Sequence, residues 1–461
     1  MKDIKARGVL SRRLQRLIKK LGVPRLLGIL FAWILIFQVW ILPALTQQPV
    51  VITMMTQGQD LANWTPFLQE FQQKNPDIRI NVVEGPFDTN LQENLLTSAF
   101  LLGDSPYDVL NLDIVWVPKF AAAGWLRPLD DRVPAEQLAE MVENNIDGGR
   151  YQGKLYRMPT NSDAGVLYYR TDLLKQIGAK PPETFSEMLG ILQNLQKSGA
   201  KDTNWGYLWQ GRQYEGVSAM FVEVLEGFGG FWVNPDTLEV GLDQPQAIEA
   251  VQFLRNTITQ GISPRGVTTY GEEETRQIFQ SGGAVFLRNW PYVWKLVNQE
   301  DSKIRGKVGI QPMLQGAGQA GGSSLGGWGL GISTTTKHPE EAWRLIQYMT
   351  SKETMRRFVL ETGLISSYKT LFTEPEIMAK YPHFPQLLEA VQQSVLRPPV
   401  AQYAQASDIL QRYLSAAFTN GMSPQEAMQA AAGETRNLLG RLQPARTSQD
   451  SAPAQMLAIR S

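Results

Sequence analysis

From Pro49 onward the chain alternates short apolar runs with longer segments of helical periodicity, and that alternation limits what it can fold into. Val50 to Met55 is predicted as a buried strand. Leu61, Trp64, Phe67, Leu68 and Phe71 then recur at helical spacing up to Asn75-Pro76. Ile78 to Val83 forms a second strand, Leu91, Leu95, Leu96, Ala99 and Phe100 line a second helix, and Tyr107 to Asp113 is a third strand. Strands that alternate with helices imply a parallel sheet, whose ligands bind outside the carboxyl ends of the strands. Asp60 and Asp113 both fall there. Asp60 reads equally as a helix N-cap and as a ligand contact; a carboxylate at a strand end, as at Asp113, points to function.

With 461 residues the chain is too long for one compact core and predicts two domains or more. Lys+Arg and Asp+Glu balance at 44 each, so no global field draws in nucleic acid. The basic excess is local, in residues 1–25, ahead of an apolar block from Leu26 to Leu45. A block of that length spans a bilayer, and its basic flank keeps the N-terminus inside and everything after residue 46 outside. The competing reading is a cleaved signal peptide. The absence of cysteine excludes disulfides, thiol catalysis and thiolate metal sites.

The stretch Ser281 to Trp294 concentrates the recognition chemistry. A turn at Gly282-Gly283 leads into an apolar run, Ala284 to Leu287, that Pro291 breaks. Trp290 precedes that proline, with Arg288 and Asn289 before it and Tyr292 and Trp294 after it. An indole beside an amide and a guanidinium suits a sugar, whose C–H faces pack on aromatic rings while polar groups take its hydroxyls. The plain alternative is that these aromatics are core.

Elsewhere Asp163 opens a strand that runs to Arg170, residues 172–200 are helical around Pro181-Pro182, and Trp205 to Gly216 mixes aromatic and polar residues without a period. Helices follow around 217–226 and 244–260, and Glu272 to Gln280 then leads into the stretch from Ser281. Gly316 to Gly321 matches G-x-G-x-x-G but runs into a strand rather than a helix, so it is a loop and not a dinucleotide site. Gly327 and Trp328 head that strand, and Arg397-Pro398-Pro399 makes a stiff turn that fixes where Arg397 points. The two histidines, His338 and His383, sit at proline-marked loops and read as surface residues. No H-E-x-x-H, Walker A or G-x-S-x-G motif occurs. Asp113 and Asp163 could in principle serve a glycosidase. The convergence of indoles, carboxylates, amides and arginine favours binding without turnover, with no catalytic residue, no metal and no cofactor.

These stretches resemble the extracellular solute-binding proteins of ATP-driven sugar importers, in the trehalose/maltose-binding branch. The carriers are Leu112-Asp-Ile-Val-Trp116, Ala123-Gly-Trp-Leu-Arg-Pro-Leu129, Gly153-Lys-Leu-Tyr, Asp163 to Arg170, Trp209 to Gly216, Arg288-Asn-Trp-Pro-Tyr292, Gly326-Gly-Trp328 and Arg397-Pro. The resemblance implies an α/β, two-lobed periplasmic-binding-protein fold of type II, each lobe a mainly parallel sheet flanked by helices, preceded by the N-terminal transmembrane segment. The expected divisions are a basic cytoplasmic stretch 1–25, an anchor 26–46, an N-lobe of 50–158 and 307–355, a C-lobe of 159–306 and 356–440, and a tail 441–461. By that likeness Trp290 and Trp328 stack on glucose rings, Asp113, Asp163 and Arg397 hold hydroxyls, and Gly327 and Asp60 contribute. The implied ligand is a glucose-containing disaccharide or related glucoside: trehalose, maltose, sucrose or glucosylglycerol. The implied partners are ABC permease subunits with their cytoplasmic ATPase, reached from the extracytoplasmic face of the membrane, with the chain acting as a monomer. A membrane-anchored sensor module and a glycoside-active enzyme are the alternatives. The chain departs from the pattern at Asn161, where the relatives carry an aromatic residue, and at Glu84-Gly85, where they carry a basic one. It also has no cysteine to lipidate.

Overall fold

The computed structural model describes residues 31, 48–103, 105–199 and 203–440. The basic stretch 1–25, the expected anchor 26–46 apart from residue 31, and the tail 441–461 lie outside the described residues. Among the described residues no helix is long and apolar enough to cross a membrane. The site described below lies within one compact unit, Ile52–Phe71 with Ile80–Ser461. A smaller unit comprises Met1–Val51 and Gln72–Arg79; in it the Val50 amide donates to the Asp77 carbonyl at 2.8 Å.

In chain order the relevant strands are β1 Val50–Gln57, β2 Ile78–Gly85, β3 Val109–Asp113, β4 Met158–Pro159, β5 Asp163–Ala164 and β6 Val166–Arg170. They continue with β7 Trp205–Leu208, β8 Ala284–Asn289, β9 Val308–Pro312, β10 Leu325–Gly326 and β11 Trp328–Ile332. The relevant helices are α1 Gly58–Lys74, α2 Thr89–Leu101, α3 Glu215–Gly227, α4 Glu272–Gln280, α5 Val293–Val297, α6 Lys352–Thr362 and α7 Tyr403–Phe418. One sheet has the order β2-β1-β3-β11-β4, a second β9-β6-β8-β7, and β10 pairs with β5 as a short ribbon. Each sheet is the floor of one lobe.

The sheets are mixed, which corrects the expectation of mainly parallel ones. β1 and β3 are parallel, as are β8 and β7, but β11 runs against both β3 and β4, and β6 runs against both β8 and β9. The register gives the reason. Trp328 starts β11 opposite Asp113, the last residue of β3, and Val166 starts β6 opposite Asn289, the last residue of β8. A strand that joins its sheet at the edge where the others end must run antiparallel to them. β11 and β6 both follow directly from the segments that cross between the sheets, so those crossings concentrate strand ends at one place.

Burial follows the apolar pattern closely. All six residues of β8 are buried, and Phe286, Leu287, Tyr168, Tyr207 and Leu208 are fully so. In the first lobe Ile52, Leu110 and Leu112 are fully buried, and Trp64 of α1 stacks on Phe358 with ring centroids 4.1 Å apart. That contact sets α6 against the first lobe's helices, whereas residues from 356 were expected in the C-lobe. Likewise β9, expected in the N-lobe with 307–355, pairs with β6 in the second sheet. A five-residue strand such as β9, with only Val308 and Ile310 buried, does not reveal from its own residues which sheet it joins.

Several local expectations also change. Helix α1 begins at Gly58, so Asp60 stands inside its first turn and is not its cap. In α2, Leu96 and Phe100 are buried while Leu91 and Leu95 face outward. Trp205–Leu208, which showed no period, is the strand β7. His383 is buried rather than at the surface: its ring stacks on Trp294 at 4.0 Å, and burial lowers its pKa to about 3.

Candidate functional site

A cavity of about 760 Å³, its mouth included, opens where those strand ends meet. Asp113, Asp163, Trp290, Gly327, Trp328 and Arg397 all line it. Asp60 does not; it lines an adjoining cavity that shares Phe87, Asp163, Tyr292 and Trp328 with the first.

The backbone between the sheets fixes the aromatic walls. Gly327 has φ +120°, and a Cβ there would come within 2.6 Å of the Asn161 carbonyl, so only glycine lets β10 and β11 pass this close to the crossing strand. Trp328 is thereby delivered to the cavity, its indole edge-on to the buried Trp116 with centroids 5.3 Å apart. Trp290 arrives from the second sheet at the end of β8. Its backbone amide donates to Asn289 Oδ1 at 2.8 Å, its carbonyl accepts from Tyr168 Oη at 2.9 Å, and its Nε1 donates to Glu272 Oε1 at 3.3 Å. The indole is clamped at both ends and only partly exposed.

Arg288 and Asn289 do not reach a ligand, which corrects their reading as hydroxyl partners. Both are fully buried. Arg288 Nε donates to Glu223 Oε2 at 2.7 Å, Nη2 donates to the other carboxylate oxygen, and Nη1 donates to Gln210 Oε1 at 3.1 Å. The guanidinium lies 4.2 Å from the centroid of the Trp290 ring, so it supports the indole from behind. Asn289 Nδ2 donates to the Glu272 carbonyl at 3.1 Å. A charged residue can end a buried strand here because Glu223 neutralises it in bidentate geometry. Gly165 makes room for the pair, since a Cβ there would overlap the Glu223 carboxylate.

Arg397 is held by a second buried network. Its Nη1 donates to Glu215 Oε1 at 2.6 Å and its Nη2 to the Leu325 carbonyl at 3.3 Å, while Nη2 stands 3.6 Å from Asp113 Oδ1. Glu215 also accepts from Ser407 Oγ at 2.6 Å and from Tyr403 Oη. Burial alone would lower the Arg397 pKa, but Tyr403, Asp113 and Glu215 raise it above its ordinary value, so the group stays charged. Asp113 Oδ1 accepts from the Val115 amide at 3.3 Å, which fixes its rotamer at the end of β3.

Asp60 and Asp163 are in the opposite situation. Neither forms an ion pair among the described residues. Burial, and next the Asp60 carboxylate, push Asp163 up to about 8, with Arg288 pulling the other way. Burial pushes Asp60 up to about 6. Two carboxyls with so little neutralisation are poised to exchange hydrogen bonds with an incoming polar group, the protonated form donating as well as accepting.

Sequence reasoning missed Arg212, Tyr214, Glu215, Glu272 and Tyr292 as lining residues. Arg212, Tyr214 and Glu215 lie in the stretch without periodicity, and its density of aromatic and charged residues was the available signal. Glu272 had none, being one of three glutamates at the start of α4. In the structure Tyr214 Oη donates to Glu272 Oε2, and the Arg212 guanidinium lies 4.2 Å from the Tyr214 ring centroid. Among the described residues no cluster of His, Cys, Asp or Glu is placed to hold a metal ion.

Two α/β lobes whose strand ends and crossings frame an aromatic, acid-lined cleft define a solute-binding architecture. The chain belongs to the bacterial extracellular solute-binding protein family, whose model matches residues 56–356. It is 31% identical over 373 residues to the "Probable ABC transporter-binding protein" of Deinococcus radiodurans, an alignment that covers 78% of this chain and 87% of that one. The maltotriose-binding protein of Pyrococcus abyssi is 25% identical over 332 residues, covering 71% and 68%. Among solved structures, maltose-bound MalE3 of T. maritima is similar with a TM-score of 0.79 and 34% identity, over 84% of this chain and all of that one.

Proposed function

We propose that this protein is the substrate-binding component of an ABC importer, capturing a glucose-containing disaccharide or related glucoside between its lobes and delivering it to a membrane permease. Trehalose, maltose, sucrose and glucosylglycerol are the candidates. The observation that carries the reading is the meeting of two indoles from different sheets, Trp290 and Trp328, with Asp113, Asp163 and Arg397 on one cavity. Pyranose C–H faces stack on the indoles, the carboxylates and Arg397 take hydroxyls, and Gly327 brings backbone close to the sugar. The likeness to a maltose-bound structure at 34% identity supports it. Binding without turnover is part of this reading, supported by membership of a solute-binding family, with Asp113, held by a backbone amide beside Arg397, as a hydroxyl partner.

The basic flank and the apolar block at 26–46 further support a protein tethered to the outer face of the plasma membrane, its N-terminus inside. Calorimetric titration with the four glucosides, and with mannitol as a control, tests the assignment. Saturable binding of at least one glucoside, with the sugar recovered intact, is expected. Binding of none of them, or release of free glucose, would refute it.

A further inference from the structure

The adjoining cavity has a different chemistry from the main cleft. Its aromatic walls, Phe87, Tyr292 and Trp328, are all shared with the first cavity. The residues that belong to it alone are mostly polar, among them Asp60, Asn63, Asn161, Lys295 and Gln299, with Leu296 and Leu364 as the apolar exceptions. It is also the roomier of the two, about 1230 Å³ against about 760 Å³ with both mouths included. Asp60 and Asp163 on its wall have no ion pair among the described residues, and Asn161 makes only a 3.3 Å contact with its neighbour Thr160 Oγ1 among side chains.

We infer that this second cavity is the subsite for the non-glucosyl half of the ligand, and that it takes an open-chain polyhydroxyl group in preference to a second pyranose ring. The inference rests on the glucoside reading above and specifies the other half of the molecule. A pyranose has two faces with exposed C–H groups and binds best when aromatic planes cover both. Here every aromatic side chain is one shared with the main cleft, so a ring seated beyond them would lie among Asn161, Asn63 and Asp60, which line this cavity alone. Those groups lose water on closure without gaining a partner wherever a C–H face lies against them. An open polyol carries a hydroxyl on every carbon and can rotate each toward an amide or carboxylate. The absence of an aromatic side chain at Asn161 is therefore a choice of ligand class and not merely a weakened stack.

Maltose and maltitol make the test, because they share the glucosyl half and differ only in whether the second half is closed or open. Methyl α-glucoside reports on the main cleft alone. In calorimetric titrations of the intact protein, maltitol should bind about three- to tenfold more tightly than maltose, the span that one lost stacking face represents. Gln299→Ala, at an exposed position, should weaken maltitol and leave methyl α-glucoside unchanged. Asn161→Trp should reverse the maltose-to-maltitol order by supplying the missing plane. Tighter binding of maltose by the wild type, or indifference of maltitol to Gln299→Ala, would overturn the inference while leaving the glucoside reading intact. If methyl α-glucoside, maltose and maltitol all fail to bind, the glucoside reading itself falls and takes the inference with it.

Discussion

Replacement of Trp290 by alanine separates a binding wall from a core residue. The indole is partly exposed to the cleft on one side and lies over the buried Arg288 guanidinium at 4.2 Å on the other. On the ligand side, truncation removes stacking of about 0.5–1.5 kcal/mol together with the apolar area a sugar would cover, for a total of about 2–4 kcal/mol. Affinity should fall ~30- to 1000-fold. On the protein side, the Arg288–Glu223 pair stays intact but loses the ring above it, a cation–π contact worth about 1–2 kcal/mol. The Glu272 carboxylate loses only a 3.3 Å hydrogen bond and keeps Tyr214. The melting temperature should therefore drop by no more than a few degrees. A fully buried indole truncated to alanine would instead cost ~3–5 kcal/mol of stability. Trp290→Phe should recover part of the affinity, because the smaller ring keeps part of the stack. Titration calorimetry run beside a thermal melt reads both quantities. A variant that melts far below the wild type yet binds glucosides normally would show that Trp290 is structural and that the cleft is assigned to the wrong wall.

Glu215→Gln should weaken sugar binding, since the neutral amide no longer anchors the Arg397 guanidinium, and Glu215→Ala should also lower the melting temperature by leaving Arg397 and Tyr403 buried without their acceptor. The raised Asp163 pKa of about 8 makes the unliganded protein's stability depend on pH. Its carboxyl keeps a proton in the folded state that the unfolded state releases near pH 4, so this contribution is complete below that point and is lost as pH rises to about 8. Asp163→Asn should flatten the fall in melting temperature between about pH 5 and 8 while abolishing tight sugar binding; an unchanged slope would contradict the assignment. Lobe closure should reduce the radius of gyration in small-angle scattering at saturating sugar, and an unchanged profile would argue against a cleft between lobes. Intact-mass analysis of membrane-extracted protein should retain residues 1–46, and a mature chain starting near Thr46 would refute the tether.

The sequence alone determined the alternation of strands and helices, the burial of β8, the strand end at Asp113 and the loop character of Gly316 to Gly321. Each of these is a local property: a period, a run length or a proline can be read within about a dozen residues. Sequence also singled out Trp290, Trp328, Asp113, Asp163, Gly327 and Arg397, because strand ends and stiff turns are where an α/β chain exposes side chains. Tertiary structure decided what those residues touch. Nothing near Arg288 announces that Glu223, 65 positions away, will neutralise it and withdraw it from the cleft. Nor does anything near Arg397 point to Glu215, 182 positions distant, as its anchor. The same holds for strand direction and lobe membership: nothing in the residues of β9 or β11 names a sheet, and only the path of the crossing segments sets which sheet they enter and from which end. Pairings across such separations depend on how the whole chain closes on itself, and a one-dimensional pattern does not carry that information.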